Sequence, residues 1–240
     1  MLLREVFRLV NLKDRLKKFA FSKGADLVGI APVDRFHEAP EDHRPTDILP
    51  DARTVVVCAK RIPESVVMGE PATSYHQMMT VLTNQLDLIA FEVATYVEKH
   101  GGKAIPVPSD YPYYDWDQER RHGRGDLSHK HAAQAAGLGK LGKNSLLITP
   151  EFGNRVHLVS VVTSLDLDPD PLVAREMCRP TCTLCMTACP AKAIKDGLVD
   201  QKKCRSRVFL KLPKGFIIEA CRECRKACPI GVTHTKSKSR

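Results

Sequence analysis

The sequence predicts a mixed α/β protein made of a conventional N-terminal domain and a small C-terminal module built around metal. Apolar runs at helical spacing alternate with short β-branched runs between residues 3 and 163, which is typical of an α/β or α+β domain. Of the nine cysteines, only Cys58 precedes position 178, and the other eight lie between positions 178 and 228. We therefore predict one domain over residues 1–172 and a second over residues 173–240.

The helices and strands of the first domain follow from the spacing of apolar residues. Helical spacing predicts a helix over residues 3–22, a long and mostly buried helix over residues 76–100, and a short helix over residues 128–136. β-branched and apolar runs predict strands over residues 26–30, 54–59, 103–107, 146–149 and 155–163. We expect the last two strands to pair as a hairpin, and Cys58 to be a core residue of the second strand.

The stretch between residues 108 and 127 has a composition of its own. Three of the chain's five tyrosines and its only tryptophan lie within six residues, from Tyr111 to Trp116. Long irregular segments in a compact domain are usually functional or disordered, and aromatic residues at this density normally pack against something. We expect an ordered, functional loop here. The acidic, proline-containing residues 166–171, which follow the last predicted strand, are expected to link the first domain to the cysteine module.

Charge and hydropathy limit the classes of protein that fit. No apolar run approaches the roughly 18 residues needed to cross a bilayer, and charged residues interrupt the N-terminal segment, so we expect a cytoplasmic protein without a membrane partner. Residues 201–240 contain twelve Lys or Arg but only Glu219 and Glu223, and they account for the net charge of +9. This surplus suits an acidic protein partner or a nucleic-acid backbone. The last eight residues fit a solvated tail equally well.

The cysteine spacing is typical of iron–sulfur ligands. The first run is Cys178-x3-Cys182-x2-Cys185-x3-Cys189-Pro190, and the second is Cys204 followed by Cys221-x2-Cys224-x3-Cys228-Pro229. Pairs of the C-x2-C type also form structural zinc sites. Zinc does not require two Cys-x3-Cys-Pro endings, however, and eight cysteines with none left over match two cubic clusters. The spacing favours two 4Fe-4S clusters.

The assignment of these cysteines follows from two-cluster ferredoxins, in which the fourth cysteine of each run crosses to the other cluster. This arrangement predicts two sets of ligands: Cys178, Cys182, Cys185 and Cys228 for cluster one, and Cys221, Cys224, Cys204 and Cys189 for cluster two. The interval between Cys178 and Cys182 is one residue longer than the usual C-x2-C. Cys178 is therefore the ligand that departs most from the pattern.

The run from Gly137 to Gly142, GLGKLG, satisfies the G-x-G-x-x-G pattern of dinucleotide-binding proteins. A dinucleotide fingerprint follows a strand and opens a helix. This run instead follows a predicted helix and precedes a predicted strand. We do not expect NAD(P) to bind through it.

Residues 137–163, GLGKLGKNSLLITPEFGNRVHLVSVVT, followed by the double cysteine pattern, resemble the epoxyqueuosine reductase family and its relatives the reductive dehalogenases. The pair Tyr75-His76, ahead of the long helix, also fits that family. The resemblance implies a nitroreductase-like domain that holds cobalamin, followed by a ferredoxin-like domain whose two clusters reduce the cobalt.

The resemblance also implies which residues approach the corrin ring: Gly137, Gly139, Gly142, Lys143, Asn144 and Ser145. Glycines let a backbone come close to a large flat ligand, and the polar side chains that follow suit its amide arms. A tight turn with a positively charged surface explains the same residues without a cofactor. Nitroreductase-like folds also hold FMN, which is the alternative cofactor.

A reductase of this type needs a proton donor next to its substrate. The candidates are Asp126, Tyr113 and Tyr114. Asp126 is the carboxylate nearest to the position of the family's catalytic aspartate, where this sequence has Gly123. Tyrosine is the donor type that reductive dehalogenases use. Each candidate also has a structural explanation, as a helix cap or as part of an aromatic lid.

The substrate is not identified by the sequence, and both a small molecule and a nucleic acid fit. Epoxyqueuosine reductases continue into a helical-repeat region that helps to hold tRNA, whereas this sequence ends twelve residues after Cys228, so we expect a short form with tRNA disfavoured. The predicted function is reduction of a substrate by a bound corrinoid, with electrons from a low-potential electron donor protein passing through the two clusters. The alternatives are a non-catalytic iron–sulfur electron carrier or activator, and an FMN-dependent reductase.

Overall fold

The computed structural model describes residues 2–119, 121–195 and 197–230. In chain order the helices are α1 (Leu2–Ser22), α2 (Pro45–Ile48), α3 (Glu64–Met68), α4 (Ala72–Lys99), α5 (His129–Ala135), α6 (Leu184–Ala188), α7 (Gln201–Val208) and α8 (Glu223–Lys226). The strands are β1 (Leu27–Pro32), β2 (Thr54–Arg61), β3 (Ala104–Val107), β4 (Asp115–Asp117), β5 (His122–Arg124), β6 (Lys140–Leu141), β7 (Leu147–Ile148), β8 (Val156–Thr163), β9 (Ile194–Lys195), β10 (Leu198–Val199), β11 (Phe209–Lys211) and β12 (Ile217–Glu219). The predicted solvated tail lies outside the described residues.

Four antiparallel strands form the central sheet, in the order β1-β2-β8-β3. The two middle strands are β-branched runs, and their register pairs Cys58 with Val159. Six successive residues of β2, Thr54 to Ala59, are buried, as expected of a strand covered on both faces. Burial raises the pKa of the Cys58 thiol to about 12. Cys58 is therefore a protonated core residue, and this prediction is confirmed.

Helices cover both faces of the sheet. Leu16 of α1 and Val93 of α4 pack on one face, and Ala132 of α5 packs on the other. The long helix α4 confirms the predicted helix, but the expectation that it is mostly buried is wrong: nine of its 28 residues are buried, and Leu88 and Phe91 are 64% and 62% exposed. Phe91 lies on the side of α4 that faces away from the core residues, so its apolar character does not contribute to the sheet contact.

Two local predictions differ from the structure. Strand β7 pairs with β6, so the predicted hairpin between residues 146–149 and 155–163 is wrong. An eight-residue apolar strand buries more surface between the eight-residue β2 and the four-residue β3 than against the two-residue β7, and β8 accordingly lies between β2 and β3. The stretch 108–127 is also more regular than predicted, because β4 and β5 form a hairpin that places Trp116 opposite Gly123.

Asp170 anchors the connection that follows the sheet. Its carboxylate accepts a hydrogen bond from the backbone N–H of Ile30 at 3.0 Å and forms ion pairs with Lys13 and Lys17 at 2.8 and 2.7 Å. Burial alone would raise the pKa of Asp170, but the hydrogen bonds from the two lysines outweigh it and hold this pKa below its usual value. The predicted linker is thus fixed to the first domain.

The remainder of the described chain is built from short elements. They include the two-stranded pairs β9–β10 and β11–β12 and the helices α6, α7 and α8. Small modules with so little regular structure commonly depend on thiolate–metal bonds for their stability. The boundary after residue 172 stays a prediction. Within the described residues, no helix combines the length and the apolar character that spanning a membrane requires.

Candidate functional site

One group of four cysteines forms around α6 and the end of α8. Burial raises the pKa of Cys185, and the neighbouring Cys178, Cys182 and Cys228 raise it further. Burial also raises the pKa of Cys228, again with contributions from Cys178 and Cys182. Ile148, at the end of β7, packs against this group.

The other four cysteines meet near α7. Burial raises the pKa of Cys204, and the charges of Cys221 and Cys189 add to it. Burial raises the pKa of Cys224 to about 11, Arg225 opposes this rise, and Cys204, Cys221 and also Cys185 of the first group add to it. Each group therefore combines three cysteines with one from the other run. This is the composition that the ferredoxin crossing rule predicts.

Among the described residues, no three His, Cys, Asp or Glu side chains come close enough together to hold a single metal ion. A single zinc ion holds its sulfur ligands at a Zn–S distance of about 2.3 Å, so the sulfur atoms lie close together. A cubic cluster binds one cysteine at each of its four irons, so the four sulfur atoms lie farther apart. Ligation of iron by these eight cysteines stays a prediction.

Two arginines tie the second cysteine group to the first domain. Arg222 is buried, donates a hydrogen bond to the carbonyl oxygen of Val67 at 2.9 Å, and lies over the ring of Tyr75 at 5.1 Å. Arg225 donates to the carbonyl oxygen of Asn154, and its charge opposes the effect of burial on the pKa of Cys224. These cations partly compensate the negative charge that clustered thiolates would carry.

The pair Tyr75-His76 lies at the same junction. Tyr75 is buried under Arg222, and His76 Nδ1 accepts a hydrogen bond from the backbone N–H of Glu219 at 3.2 Å. A pair that fits a family pattern in the sequence thus joins the start of α4 to the cysteine module.

The glycines of the turn after α5 are required by close packing within the protein. Gly137 has a φ of +73°, and a Cβ there would collide with the carbonyl oxygen of Pro171. A Cβ on Gly139 would collide with the carbonyl oxygen of Ile148, and one on Gly142 would lie 2.6 Å from the side chain of the same residue. The structure gives each glycine a structural reason. Their contact with a cofactor stays a prediction.

Lys143 and Asn144 connect the glycine-rich turn to the cysteine module through hydrogen bonds. The Lys143 ammonium donates to the carbonyl oxygens of Pro180 and, at 3.1 Å, of Cys182. Asn144 is buried, and its Nδ2 donates to the carbonyl oxygen of Cys224 at 3.4 Å. The glycine-rich turn therefore contacts the backbone of one cysteine from each group. A ligand bound next to this turn would lie close to both cysteine groups.

Two cavities flank this junction. The larger has a volume of about 650 Å³ and is bordered by the segment after β1, by β5, by α5 and by Gln201 of α7. Its lining is basic; among its described residues, Glu38 is the one carboxylate, against a larger set of cations and imidazoles: Arg35, His37, His43, His122, Arg124, Lys130 and His131. The smaller cavity, of about 170 Å³, lies between α5, the start of β8 and Arg225.

Lys130 borders both cavities. Its ammonium donates a hydrogen bond to the hydroxyl of Ser145, the last residue of the glycine-rich turn, which has a left-handed φ of +58°. Burial lowers the pKa of Lys130. No sequence motif singles out this lysine, because its importance comes from its position between two cavities.

The two histidines at the start of α5 differ in role. His129 is buried; its Nε2 donates to the carbonyl oxygen of Pro108 at 2.7 Å, and its Nδ1 accepts from the hydroxyl of Ser160 at 2.9 Å. Burial lowers the pKa of His129, so it is a neutral residue with both ring nitrogens paired. His131 instead borders the larger cavity, and its Nδ1 pairs with the Ser128 hydroxyl at 2.7 Å.

The loop that contains Tyr111, Tyr113, Tyr114 and Trp116, called the aromatic loop below, packs against α7. Tyr113 stacks on Trp116 with ring centroids 5.6 Å apart, and the Arg205 guanidinium lies over both rings. Arg205 also donates to the Tyr113 hydroxyl at 3.1 Å, which in turn donates to Asp110 at 3.2 Å. Burial raises the pKa of Tyr113. The loop is therefore ordered by contact with the cysteine module.

None of the three predicted proton donors, which all belong to the described residues, lines a cavity. In the part of the chain that the structure describes, Asp126, Tyr113 and Tyr114 do not border either cavity. Asp126 lies between two residues of the lining, and Tyr114 packs edge-on against His43 with centroids 5.4 Å apart. Their catalytic roles stay predictions.

The lining of the larger cavity is compatible with a corrinoid. Its volume lies within the range of cofactor pockets, roughly 300–1,000 Å³. The amide N–H groups of Gln134 and Gln201 are of the kind that pair with amide arms, while their Oε1 atoms already accept hydrogen bonds from the backbone N–H groups of Leu141 and Gly123. The Arg35 guanidinium also borders the cavity, with its Nη1 held by the carbonyl oxygens of Ala135 and Asp170. The cations also suit a phosphate, which both cobalamin and FMN carry. The donor set therefore fits either cofactor.

Comparison with known proteins supports the resemblance read from the sequence. The chain is 26% identical over 268 residues to the epoxyqueuosine reductase of Bacillus subtilis (strain 168), and the match covers 92% of this chain and 64% of that enzyme. It is 38% identical over 109 residues to the tetrachloroethene reductive dehalogenase of Dehalobacter restrictus, covering 44% of this chain and 17% of that protein. No family model matches the chain.

The fold is shared with solved structures. A structure of epoxyqueuosine reductase with an epoxyqueuosine-modified tRNA-Tyr stem loop superposes with a TM-score of 0.62 at 24% identity, over 93% of this chain and 66% of that one. The mixed α/β fold predicted from the sequence is thus confirmed. The chain spans 64% of the length of the Bacillus subtilis relative.

Proposed function

We propose that this chain, a relative of the epoxyqueuosine reductases and reductive dehalogenases, is an iron–sulfur oxidoreductase that reduces a substrate with the help of a bound corrinoid. One observation carries the proposal. Arg225, next to Cys224 on α8, borders the smaller cavity together with Lys130 and Ser145, so the helix that bears a proposed cluster ligand meets the cavities of the first domain.

The two cysteine groups are the proposed cluster sites. Cluster one is assigned to Cys178, Cys182, Cys185 and Cys228, and cluster two to Cys189, Cys204, Cys221 and Cys224. Such clusters carry one electron at a time and reach low potentials. Their proximity to the turn at residues 143–145, through Lys143 and Asn144, supports electron transfer toward the cavities.

The corrinoid is assigned to the larger cavity and its junction with the smaller one. Arg35, Gln134 and Gln201 would bond its polar arms, and Ser145 and Lys130 would lie at the junction. When bound and reduced, a corrinoid supplies a strongly reducing, nucleophilic cobalt. The protein's contribution is to position that group beside the clusters and to restrict water around it.

A proton must accompany reduction of most substrates, and Lys130 is the proposed source. A protonated amine whose pKa is lowered by burial releases its proton more readily than an exposed lysine. Asp126, Tyr113 and Tyr114 remain the alternatives from the sequence, and a motion of the loop would be needed to bring them to the cavity. The substrate, small molecule or tRNA, stays open.

Anaerobic purification and reconstitution test this function. The protein is loaded with iron, sulfide and hydroxocobalamin, desalted, and assayed for iron, cobalt and flavin. We expect about eight irons and one cobalt per chain. Retention of flavin in place of cobalt would select the FMN-dependent reductase. Iron alone, with transfer of electrons to another protein and no cofactor retained, would select the electron carrier.

Variants of the cavity lining, compared with a surface control, test whether the corrinoid binds in the larger cavity. Gln134→Leu and Arg35→Leu remove polar groups from the lining, while Lys99→Leu changes an exposed residue at the end of α4. Weaker cobalt retention in the first two, at unchanged iron content, would support the cavity as the site. Equal retention in all three would place the corrinoid elsewhere.

A further inference from the structure

The hairpin formed by β11 and β12, residues 209–219, carries an exposed apolar surface. Its large apolar side chains are unusually accessible: Phe209 is 42% exposed, Leu210 44%, Phe216 68% and Ile217 63%. Single exposed apolar residues are normal on a protein surface, but a contiguous group of them commonly marks an interaction site.

Positive charge surrounds this apolar surface. Between residues 201 and 218 the sequence contains no Asp or Glu. The exposed cations of α7 and the hairpin are Lys202, Lys203, Arg207, Lys211 and Lys214. An apolar centre with a charged margin is the usual composition of a protein–protein interface, and the sign of the charge selects an acidic partner.

The hairpin lies close in sequence to two of the cysteines of the second group. It occupies the interval between Cys204 and Cys221. The carbonyl oxygen of Val208, just before the hairpin, accepts hydrogen bonds from Ala220 at 2.7 Å and from Cys221 at 3.4 Å. A protein bound to the hairpin is therefore held beside these thiols.

We propose that the 209–219 hairpin is the docking surface for an acidic one-electron carrier protein of the ferredoxin or flavodoxin class. The inference rests on the proposed function, because it requires a cluster at the second cysteine group. In the proposed electron transfer, the carrier protein is oxidised by one electron and the cluster at the second cysteine group is reduced by one electron. No covalent bond forms or breaks.

A nucleic acid would also be attracted by the positive charge. Bases stack on aromatic or guanidinium faces, and here half of the exposed apolar group, Leu210 and Ile217, is aliphatic. Arg205, which could supply a stacking face, is instead engaged with Trp116 and Tyr113. The surface therefore favours a protein partner.

The test measures reduction of the clusters in the reconstituted chain by stopped-flow absorbance, with chemically reduced flavodoxin as the carrier. The double variant Lys211→Glu/Lys214→Glu and, separately, Ile217→Ser should lower the second-order rate constant about tenfold at low salt, within the range of electrostatic steering. Dithionite, which needs no docking surface, should reduce wild type and variants at the same rate.

The matched control is Lys18→Glu/Lys99→Glu, which makes the same change in net charge at exposed positions of α1 and α4. It should leave the rate with flavodoxin within about twofold of wild type, as expected for charges away from a docking surface. An equal loss in both double variants would overturn the proposal, because the effect would then be one of overall charge.

Failure of this inference is distinguishable from failure of the proposed function. The assay follows only cluster absorbance and needs neither corrinoid nor substrate. Clusters that assemble and accept electrons equally well from flavodoxin in wild type and hairpin variants would refute the docking surface alone. The docking proposal would also be refuted if those variants lost binding to a tRNA stem loop while flavodoxin reduced their clusters at the wild-type rate. The surface would then be assigned to nucleic acid.

Discussion

The guanidinium of Arg205 lies over the indole ring of Trp116, with its central carbon 4.8 Å from the ring centroid. Arg205 belongs to α7, next to Cys204, and Trp116 belongs to β4 of the first domain. This contact fixes the aromatic loop, which also forms part of the larger cavity at Gly123 and Arg124, to the module that carries the cysteines. The shape of the cavity is thus coupled to the integrity of the second cysteine group.

Arg205→Ala should release this loop. Cation–π contacts contribute about 0.5–2 kcal/mol depending on desolvation, and the hydrogen bond to Tyr113 is lost with them. Trp116 is the only tryptophan in the chain, so its fluorescence reports the contact: we expect a red-shifted emission maximum. Arg207→Ala, an exposed position on the same helix, is the control and should leave the spectrum unchanged. An identical response in both variants would show that the Arg205 contact does not order the loop.

Serine variants test which cysteines share a cluster. Cys228→Ser should give the same EPR spectrum and iron loss as Cys185→Ser, because both are assigned to cluster one. Cys189→Ser should instead match Cys224→Ser. Cys58→Ser, in the core, should keep the full iron content. If Cys228→Ser matched Cys224→Ser, each cluster would be held by cysteines of one run, and the crossing assignment would be wrong.

Lys130 should titrate below the usual lysine pKa of about 10.4, because burial disfavours its charged form. Reductive methylation with ¹³C followed by NMR measures this titration in the intact chain, and Lys130→Arg identifies the signal by its absence. In substrate reduction, Lys130→Met should change the pH profile as well as the rate. A Lys130 signal that titrates at or above the ordinary value would contradict its assignment as proton donor.

Asp170→Asn should lower the free energy of unfolding by about 1.5–3 kcal/mol, the range for hydrogen bonds to charged groups, since Lys13 and Lys17 lose their shared carboxylate. The folded-state pKa of Asp170 is lowered. Its contribution is therefore complete above the unfolded pKa of about 3.9 and is lost as the pH falls through the folded value. Urea unfolding at pH 7 and below pH 4 measures the difference.

The matched control for this prediction is Asp168→Asn, an exposed aspartate on the same segment. It should change the free energy of unfolding by less than about 0.5 kcal/mol, as is usual for surface substitutions. Equal stability of Asp170→Asn and wild type at pH 7 would show that the ion pairs with α1 do not hold the connection.

The sequence predicted features that depend on local spacing. The apolar period located α4, and the β-branched runs located β2 and β8. The cysteine intervals predicted that the eight C-terminal cysteines gather in one module, while their assignment to two clusters stays a prediction. These succeed because each is encoded within a short stretch of chain.

Features that depend on long-range packing were not predictable in this way. Lys130 gains its position from β7 and the cysteine module, and Arg205 meets Trp116 across 89 residues of chain. The protein carbonyl groups that lie against Gly137 and Gly139 come from Pro171 and Ile148, and no local sequence pattern indicates these contacts. The predicted pairing of β8 is wrong, because the choice of partner for a strand depends on all the strands of the sheet and is not encoded in local sequence.

The most direct test of the account is whether a corrinoid bound to this chain is reduced through its own clusters. The reconstituted protein, desalted to remove free corrinoid, is mixed anaerobically with reduced flavodoxin while cluster and corrinoid absorbance are followed together. We predict one retained corrinoid per chain, reduced after the clusters in wild type and much more slowly in Cys224→Ser. Corrinoid that is lost on desalting, or that stays oxidised beside fully reduced clusters, would contradict the account.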